Sequence, residues 1–160
     1  MSIVVRPARA EDVPAMSRVL IASIAELCAA DHGGDPEKIA DWTANKTPEG
    51  VAEMLGQDGL TLFVAEWDGR VAAVGATTAS GGIALNYVAP EGRFRGLSKA
   101  LLAVMEADLA QHGFAEGRLE ATKTARDFYR AQGWVEVEGL GCNAACRAMS
   151  KVLAPGGNKA

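Results

Sequence analysis

The sequence predicts a single α+β domain, a layered α/β arrangement in which helices flank a mostly antiparallel sheet. Three observations carry that expectation. Short β-branched runs alternate with one-sided apolar helical runs along the whole chain; Leu60 to Val88 reads as three strands joined by tight turns; and glycines, prolines and Asp or Thr residues fall where helices should start and stop. With 160 residues, 49% of them hydrophobic, the chain has enough bulk for one core, and no repeat or long linker divides it. The domain is expected to span 1–154, with 155–160 as a frayed tail.

In order, "SIVVR" is a short β-branched strand, and Pro7 with "ARAED" turns the chain into a helix carrying Val13, Met16, Val19, Leu20 and Ile24. Asp35-Pro36 starts a second helix with Ile39 and Trp42, and Thr47-Pro48 a third, with Thr47 as its N-cap and Val51, Met54 and Leu55 inward. "LTLFVAEW" and "VAAVGATTAS" flank Asp68-Gly69, a strong hairpin signal, and Gly81-Gly82 leads into a further strand, "IALNYV". An antiparallel meander follows from that pattern. The next helix has Leu97, Leu101, Val104, Met105 and Leu109 on one side and stops at Gly113. "EGRLEAT" reads as a strand, "TARDFYRAQ" as a helix ending at Gly133, and "WVEVEG" and "CRAMSKVL" as the closing strands.

Composition excludes several classes. Sixteen basic against 20 acidic residues give a formal charge of −4, so no global field favours nucleic acid or an anionic membrane. No run of about 18 apolar residues occurs, and the N-terminus lacks a basic segment followed by a long apolar stretch, which argues for a cytoplasmic protein. Cys28, Cys142 and Cys146 are too few and oddly spaced for a disulfide framework or a zinc knuckle; they read as structural, and no metal is expected.

Against that acidic background, "VAPEGRFRGLSKALL" at 88–102 gathers Arg93, Arg95 and Lys99 around Gly92 and Gly96 just where a helix begins. A helix N-terminus offers unpaired N–H groups and the positive end of a dipole, and a glycine there lets an anion approach the main chain. Gly96 would allow the approach, Ser98 would add a hydroxyl donor, and Arg93 and Arg95 would offset charge at the rim; the geometry suits a pyrophosphate.

Arg93-Phe94-Arg95-Gly96-Leu97-Ser98 resembles the central motif of the GNAT superfamily of acyl-coenzyme A dependent N-acyltransferases: Arg or Gln, two residues, Gly, one residue, then Gly or Ala. The frame "YVAPEGRFRGLSKALL" is similar to that family's strand, Pro-turn and helix. "TKTARDFYRAQGW" is similar to its second motif, through Ala125, Phe128, Tyr129, Gly133 and Trp134. Ser98 departs from the usual Gly or Ala, Phe94 stands where Gly is frequent, and Thr122 where Asn is common. The resemblance implies the GNAT fold, a mixed, mostly antiparallel sheet of about seven strands splayed between the fourth and fifth, and it implies acetyl-CoA as co-substrate.

It also implies roles. The pantetheine would run along the fourth strand and bind the backbone of Tyr87 and Val88, with an N–H near Val88 polarising the thioester carbonyl. Arg93, Phe94, Arg95, Gly96, Leu97 and Ser98 would form the diphosphate loop, and Thr122 would stand beside the pantetheine arm. Tyr129 matches the tyrosine that protonates the departing coenzyme A. Glu120, at the end of the fifth strand, is the candidate base; Asn86, Glu26, Asp31 and His32 are the alternatives. Trp42 and Trp67 are core or wall residues. The activity implied is transfer of an acetyl group to a primary amine of a small molecule, amino acid derivative or peptide. A non-catalytic acyl-CoA binding domain of the same fold is the alternative; members with this architecture often form homodimers.

Overall fold

The computed structural model describes residues 2–137 and 147–153. Four strands form one antiparallel sheet in the order β1 (Ile3–Pro7), β2 (Leu60–Trp67), β3 (Arg70–Thr78), β4 (Ile83–Val88). Between β1 and β2 the chain makes four helices: α1 (Val13–Leu27), α2 (Ala29–His32), α3 (Pro36–Thr43) and α4 (Pro48–Leu55). After β4 come α5 (Leu97–Gln111), β5 (Glu116–Ala121), α6 (Arg126–Ala131), β6 (Val135–Glu136) and β7 (Arg147–Val152), and the last three strands form a second antiparallel sheet in the order β5-β7-β6.

Local chemistry explains most boundaries. Asp68 and Gly69 have φ of 51° and 83°, the left-handed pair that a two-residue type I′ hairpin requires, and they close β2 on β3 with Trp67 opposite Arg70. The Asp35 carboxylate accepts from Glu37 N–H, and Thr47 Oγ1 from Gly50 N–H, each capping a helix that has Pro in its first turn. The one-turn α2 has no sequence signature of its own; it is held by side chains described below. Among the described residues, the expected strand "WVEVEG" pairs with β7 at Val135–Glu136, and Val137 N–H continues it onto the Ala148 carbonyl at 3.0 Å. Cys142, Cys146 and the expected tail at 155–160 lie outside the described residues.

The unbroken apolar run of β2 is accounted for by burial on both faces. Leu62 and Val64 join Val74 and Ala76 of β3 under α1 and α4, where Met16, Leu20 and Val51 are fully buried. Phe63 and Ala65 face the other way, under Leu101, Met105 and Leu109 of α5. That second core runs on without a break into Leu119, Tyr129, Trp134 and Met149, so α5 serves both sheets. Gly75 marks the closest approach: a Cβ there would stand 2.7 Å from the Met105 sulfur. Glu106 fastens the second sheet to α5 by accepting from the Trp134 indole N–H and from Lys151 Nζ, each at 3.0 Å.

One charged cluster ties the first strand to the start of α1. The Arg6 guanidinium reaches both Asp12 carboxylate oxygens at 2.8 and 2.9 Å and Glu66 at 2.8 Å. The Arg6 hydrogen bonds hold the Asp12 carboxyl below its ordinary range, and those same carboxylates raise the Arg6 value. A carboxyl lowered in this way contributes stability above its unfolded value near pH 4, and that contribution fades as the pH falls through the folded value. Asp12→Asn should therefore cost on the order of 2 kcal/mol at neutral pH in urea unfolding, with the gap to the parent closing below about pH 4. A gap of constant size down to about pH 3 would contradict this account.

Candidate functional site

The site begins where β4 leaves its neighbour. Gly82 and Arg118 form an isolated parallel bridge between the two sheets, with Arg118 N–H on the Gly81 carbonyl at 3.1 Å. Past it, β4 and β5 are not paired. The ladder skips a residue there, Thr77 lying opposite Ile83 and Ala76 opposite Leu85, so Ala84 is bulged out. Ala89 N–H donates to the Ala72 carbonyl at 2.7 Å, which makes Ala73 and Val88 a non-hydrogen-bonded pair. The N–H and C=O of Val88 thus face the open side, as do those of Asn86, whereas the main chain of Tyr87 is turned toward Val74 of β3.

A cleft of about 340 Å³ follows this open edge. At one end lies the N-terminus of α5. Gly96 at φ 83° opens it, no side chain caps it, and the first N–H groups of the helix have no intrahelical acceptor. Gly92 is buried in the turn before it; a Cβ there would stand 2.7 Å from Leu97 Cδ1. Arg93, Ser98 and Lys99 line this end. Leu97 is buried in the core, so its contribution to the loop is its main chain. Phe94 also lines the cleft, with φ 64°, 90% exposure and the Arg93 guanidinium 4.7 Å from its ring centre. Arg95 is not brought to the cleft; its guanidinium lies 4.1 Å from the Trp67 ring centre.

The other end holds uncharged polar groups. Tyr87 and Tyr129 both line it. Burial pushes the Tyr129 phenol well above its ordinary range, offset in part by Asn86 and reinforced by Tyr87. Burial likewise pushes Tyr87 up to about 12, and the Trp42 indole works in the opposite sense. Cys28, pushed up to about 11 mainly by burial, also lines this end from the junction after α1, with Ser23 and Leu27 of that helix. The Asn86 amide bears on the Tyr129 hydroxyl, yet neither its nitrogen nor its oxygen makes a well-formed hydrogen bond among the described residues. A second cavity of about 60 Å³ fills the split itself, where Glu120, Thr122, Asn86 and Tyr129 meet.

The candidate bases are thereby sorted by position. Glu120 is exposed on β5 and borders the smaller cavity, not the larger one. Glu26 lies exposed on α1 away from both. Both oxygens of Asp31 are occupied, accepting from the main-chain N–H groups of Lys123 and Thr124 and from the Thr124 hydroxyl. His32 is buried with both ring nitrogens on the backbone: Nδ1 accepts from Gly34 N–H at 2.9 Å, and Nε2–H donates to the Ile24 carbonyl at 2.7 Å. Asp31 already accepts from three donors, His32 has both ring nitrogens engaged, and neither side chain lines either cavity. Ser23, Leu27 and Cys28 could not be read as site residues because only the packing of α1 across β4 brings them there; Lys99 and Phe128 stand inside the two motifs. Among the described residues, no three His, Cys, Asp or Glu side chains gather as a metal site, and no helix is long and apolar enough to cross a membrane.

Gly92→Val should destabilise the protein by about 1–3 kcal/mol, because the added atoms must displace Leu97 and with it the start of α5. Thermal unfolding checks this; an unchanged melting temperature would mean that the turn is free to rearrange.

Known proteins give the same picture. Residues 28–150 match the family described as the acetyltransferase (GNAT) domain. A GCN5-related N-acetyltransferase from Rhodopseudomonas palustris superposes with a TM-score of 0.83 at 21% identity, over 96% of this chain and 97% of that one. The PaiA N-acetyltransferase from Thermoplasma acidophilum, in complex with coenzyme A, gives 0.76 at 19% identity over 95% and 99%. A phosphinothricin acetyltransferase from Sinorhizobium meliloti, in complex with AcCoA, gives 0.68 at 19% identity over 98% and 91%. None of the curated proteins matches the sequence at a significant level. With the matched family extending from the start of α2 into β7, well over half of the sequence, the chain belongs to the GNAT acetyltransferase family.

Proposed function

We propose that the protein is an N-acetyltransferase that moves an acetyl group from acetyl-CoA to a primary amine of a small molecule, amino acid derivative or peptide. The observation that carries this reading is one continuous cleft: an uncapped helix N-terminus flanked by Arg93 and Lys99 at one end, an unpaired β4 edge along its side, and protonated phenols at the other end. A ligand suited to it is anionic at one end, amide-bearing in the middle and neutral at the reactive tip, which is the sequence of groups in an acyl-coenzyme A.

In this reading the first-turn N–H groups of α5 and the Arg93 and Lys99 cations hold the diphosphate. The outward N–H and C=O of Val88 continue the β4 ladder onto the pantetheine, and the N–H polarises the thioester carbonyl as negative charge develops on its oxygen. Glu120 accepts a proton from the ammonium, through the small cavity in the split. Tyr129 faces the sulfur. Because burial holds its proton tightly, it acts as a hydrogen-bond donor that stabilises the thiolate as the C–S bond breaks.

Acetyl-CoA at about 100 times its dissociation constant should stabilise the protein by about 2.7 kcal/mol, seen as a raised melting temperature, and Gly96→Trp should abolish the shift by filling the loop. An unchanged melting curve at high ligand would remove the cofactor assignment. Tyr129→Phe should lower kcat by about 10-fold to 100-fold in thiol-release assays across a panel of amines and peptide N-termini, while affinity for CoA stays within about twofold. Equal rates for variant and parent would take Tyr129 out of the reaction.

A further inference from the structure

The cleft's inner end is bounded by two elements far apart in sequence. Leu27 and Cys28 close it from the end of α1, and Ala125 and Phe128 from the segment that carries Tyr129. One side chain joins them. Asp31, in α2, reaches across 92 residues of chain to accept from Lys123 N–H at 2.7 Å and Thr124 N–H at 3.1 Å, and the Thr124 hydroxyl donates to it as well. Those donors sit in the turn just before α6, outside the helix and its N-cap Ala125. Asp31 therefore holds the turn that leads into α6 from the opposite wall.

Its own platform is stiff. Cys28 C=O accepts from Asp31 N–H at 2.9 Å, His32 spends both ring nitrogens on Ile24 and Gly34, and the ring meets Trp42 edge-on at 6.1 Å. A carboxylate on a fixed arm, gripping a fixed turn, sets the distance between Leu27 or Cys28 on one side and Ala125 or Phe128 on the other.

Resting on the acyl-coenzyme A reading above, we propose that Asp31 is a specificity-determining clasp: by holding the turn before α6 against α2, it fixes the width of the inner cleft and restricts the acyl group to a short one. Asp31 touches no substrate; it acts through the walls that it joins.

Calorimetric titration needs no acceptor and tests this directly. Acetyl-CoA, hexanoyl-CoA and free CoA are each titrated into the parent, Asp31→Ala and Thr124→Val, the last of which removes one of the three donors and keeps the carboxylate. The parent should prefer acetyl-CoA over hexanoyl-CoA by about tenfold or more, as expected where extra methylenes meet a fixed wall. Both variants should reduce that preference to about threefold or less while free CoA binds within about twofold of the parent, and the double variant should add little because both changes break the same contact. Amide hydrogen exchange at Lys123 and Thr124 should speed up in both. The clasp is overturned if the parent shows no chain-length preference, if Thr124→Val and Asp31→Ala keep it, or if they weaken free CoA as much as the acylated forms. Should Asp31→Ala fail to fold, Asp31→Asn decides, because its amide nitrogen cannot accept from the turn and, unlike Thr124, position 31 does not line the cleft. A parent that binds no CoA at all removes the reading of the cleft itself, which separates that failure from the failure of the clasp.

Discussion

The site depends on β4 and β5 sharing one bridge and then parting. Had the two strands zipped together, the outward groups of Asn86 and Val88 would be satisfied by β5 and no cleft would exist. Two features keep them apart. The bulge at Ala84 turns β4 just past the bridge, and the ladder with β7, along Glu116 to Ala121, holds β5 in the second sheet with its other edge facing the split. The cost of leaving backbone groups unpaired is limited because they border a cleft that water or a ligand can enter. α5 makes the separation tolerable, since its apolar side packs beneath both sheets as one continuous core.

Charge along the cleft is graded. The lip carries Arg93 and Lys99 beside open helix N–H groups; the interior carries two phenols and a thiol that burial keeps protonated. This resolves the contrast between an acidic chain and a basic loop: attraction for an anion is concentrated at one turn of helix, while the chain as a whole carries a net charge of −4. The phenols stand on opposite sides of β4, Tyr87 packed with the α1 core and Tyr129 within the α5 core, so each layer of the protein contributes one hydroxyl to the same space.

Much of this was legible in the sequence because it depends on local rules. The Asp68-Gly69 turn, the caps at Asp35 and Thr47, the stripe of Leu97, Leu101, Met105 and Leu109, and the glycine at the start of α5 all act within a few residues of themselves. What could not be read depends on which distant segments meet. Arg95 looked like Arg93 in the string, yet alternation around the loop sends it to Trp67 on β2. Asp31 and His32 looked like free polar loop residues; the chain uses them up as ties and anchors. The division into two sheets was visible only as a resemblance, since nothing in the pattern of β4 or β5 alone says that they stop pairing after one bridge.

Among the described residues the two sheets share one main-chain bridge, at Gly82 and Arg118, and relative rotation about that point would break no ladder on either side. The resistance comes from the greased seam along α5 and from the Glu106 tether to Trp134 and Lys151. Such a joint is built like the spine of a book: a small turn of one page against the other would tear no strand from its neighbours.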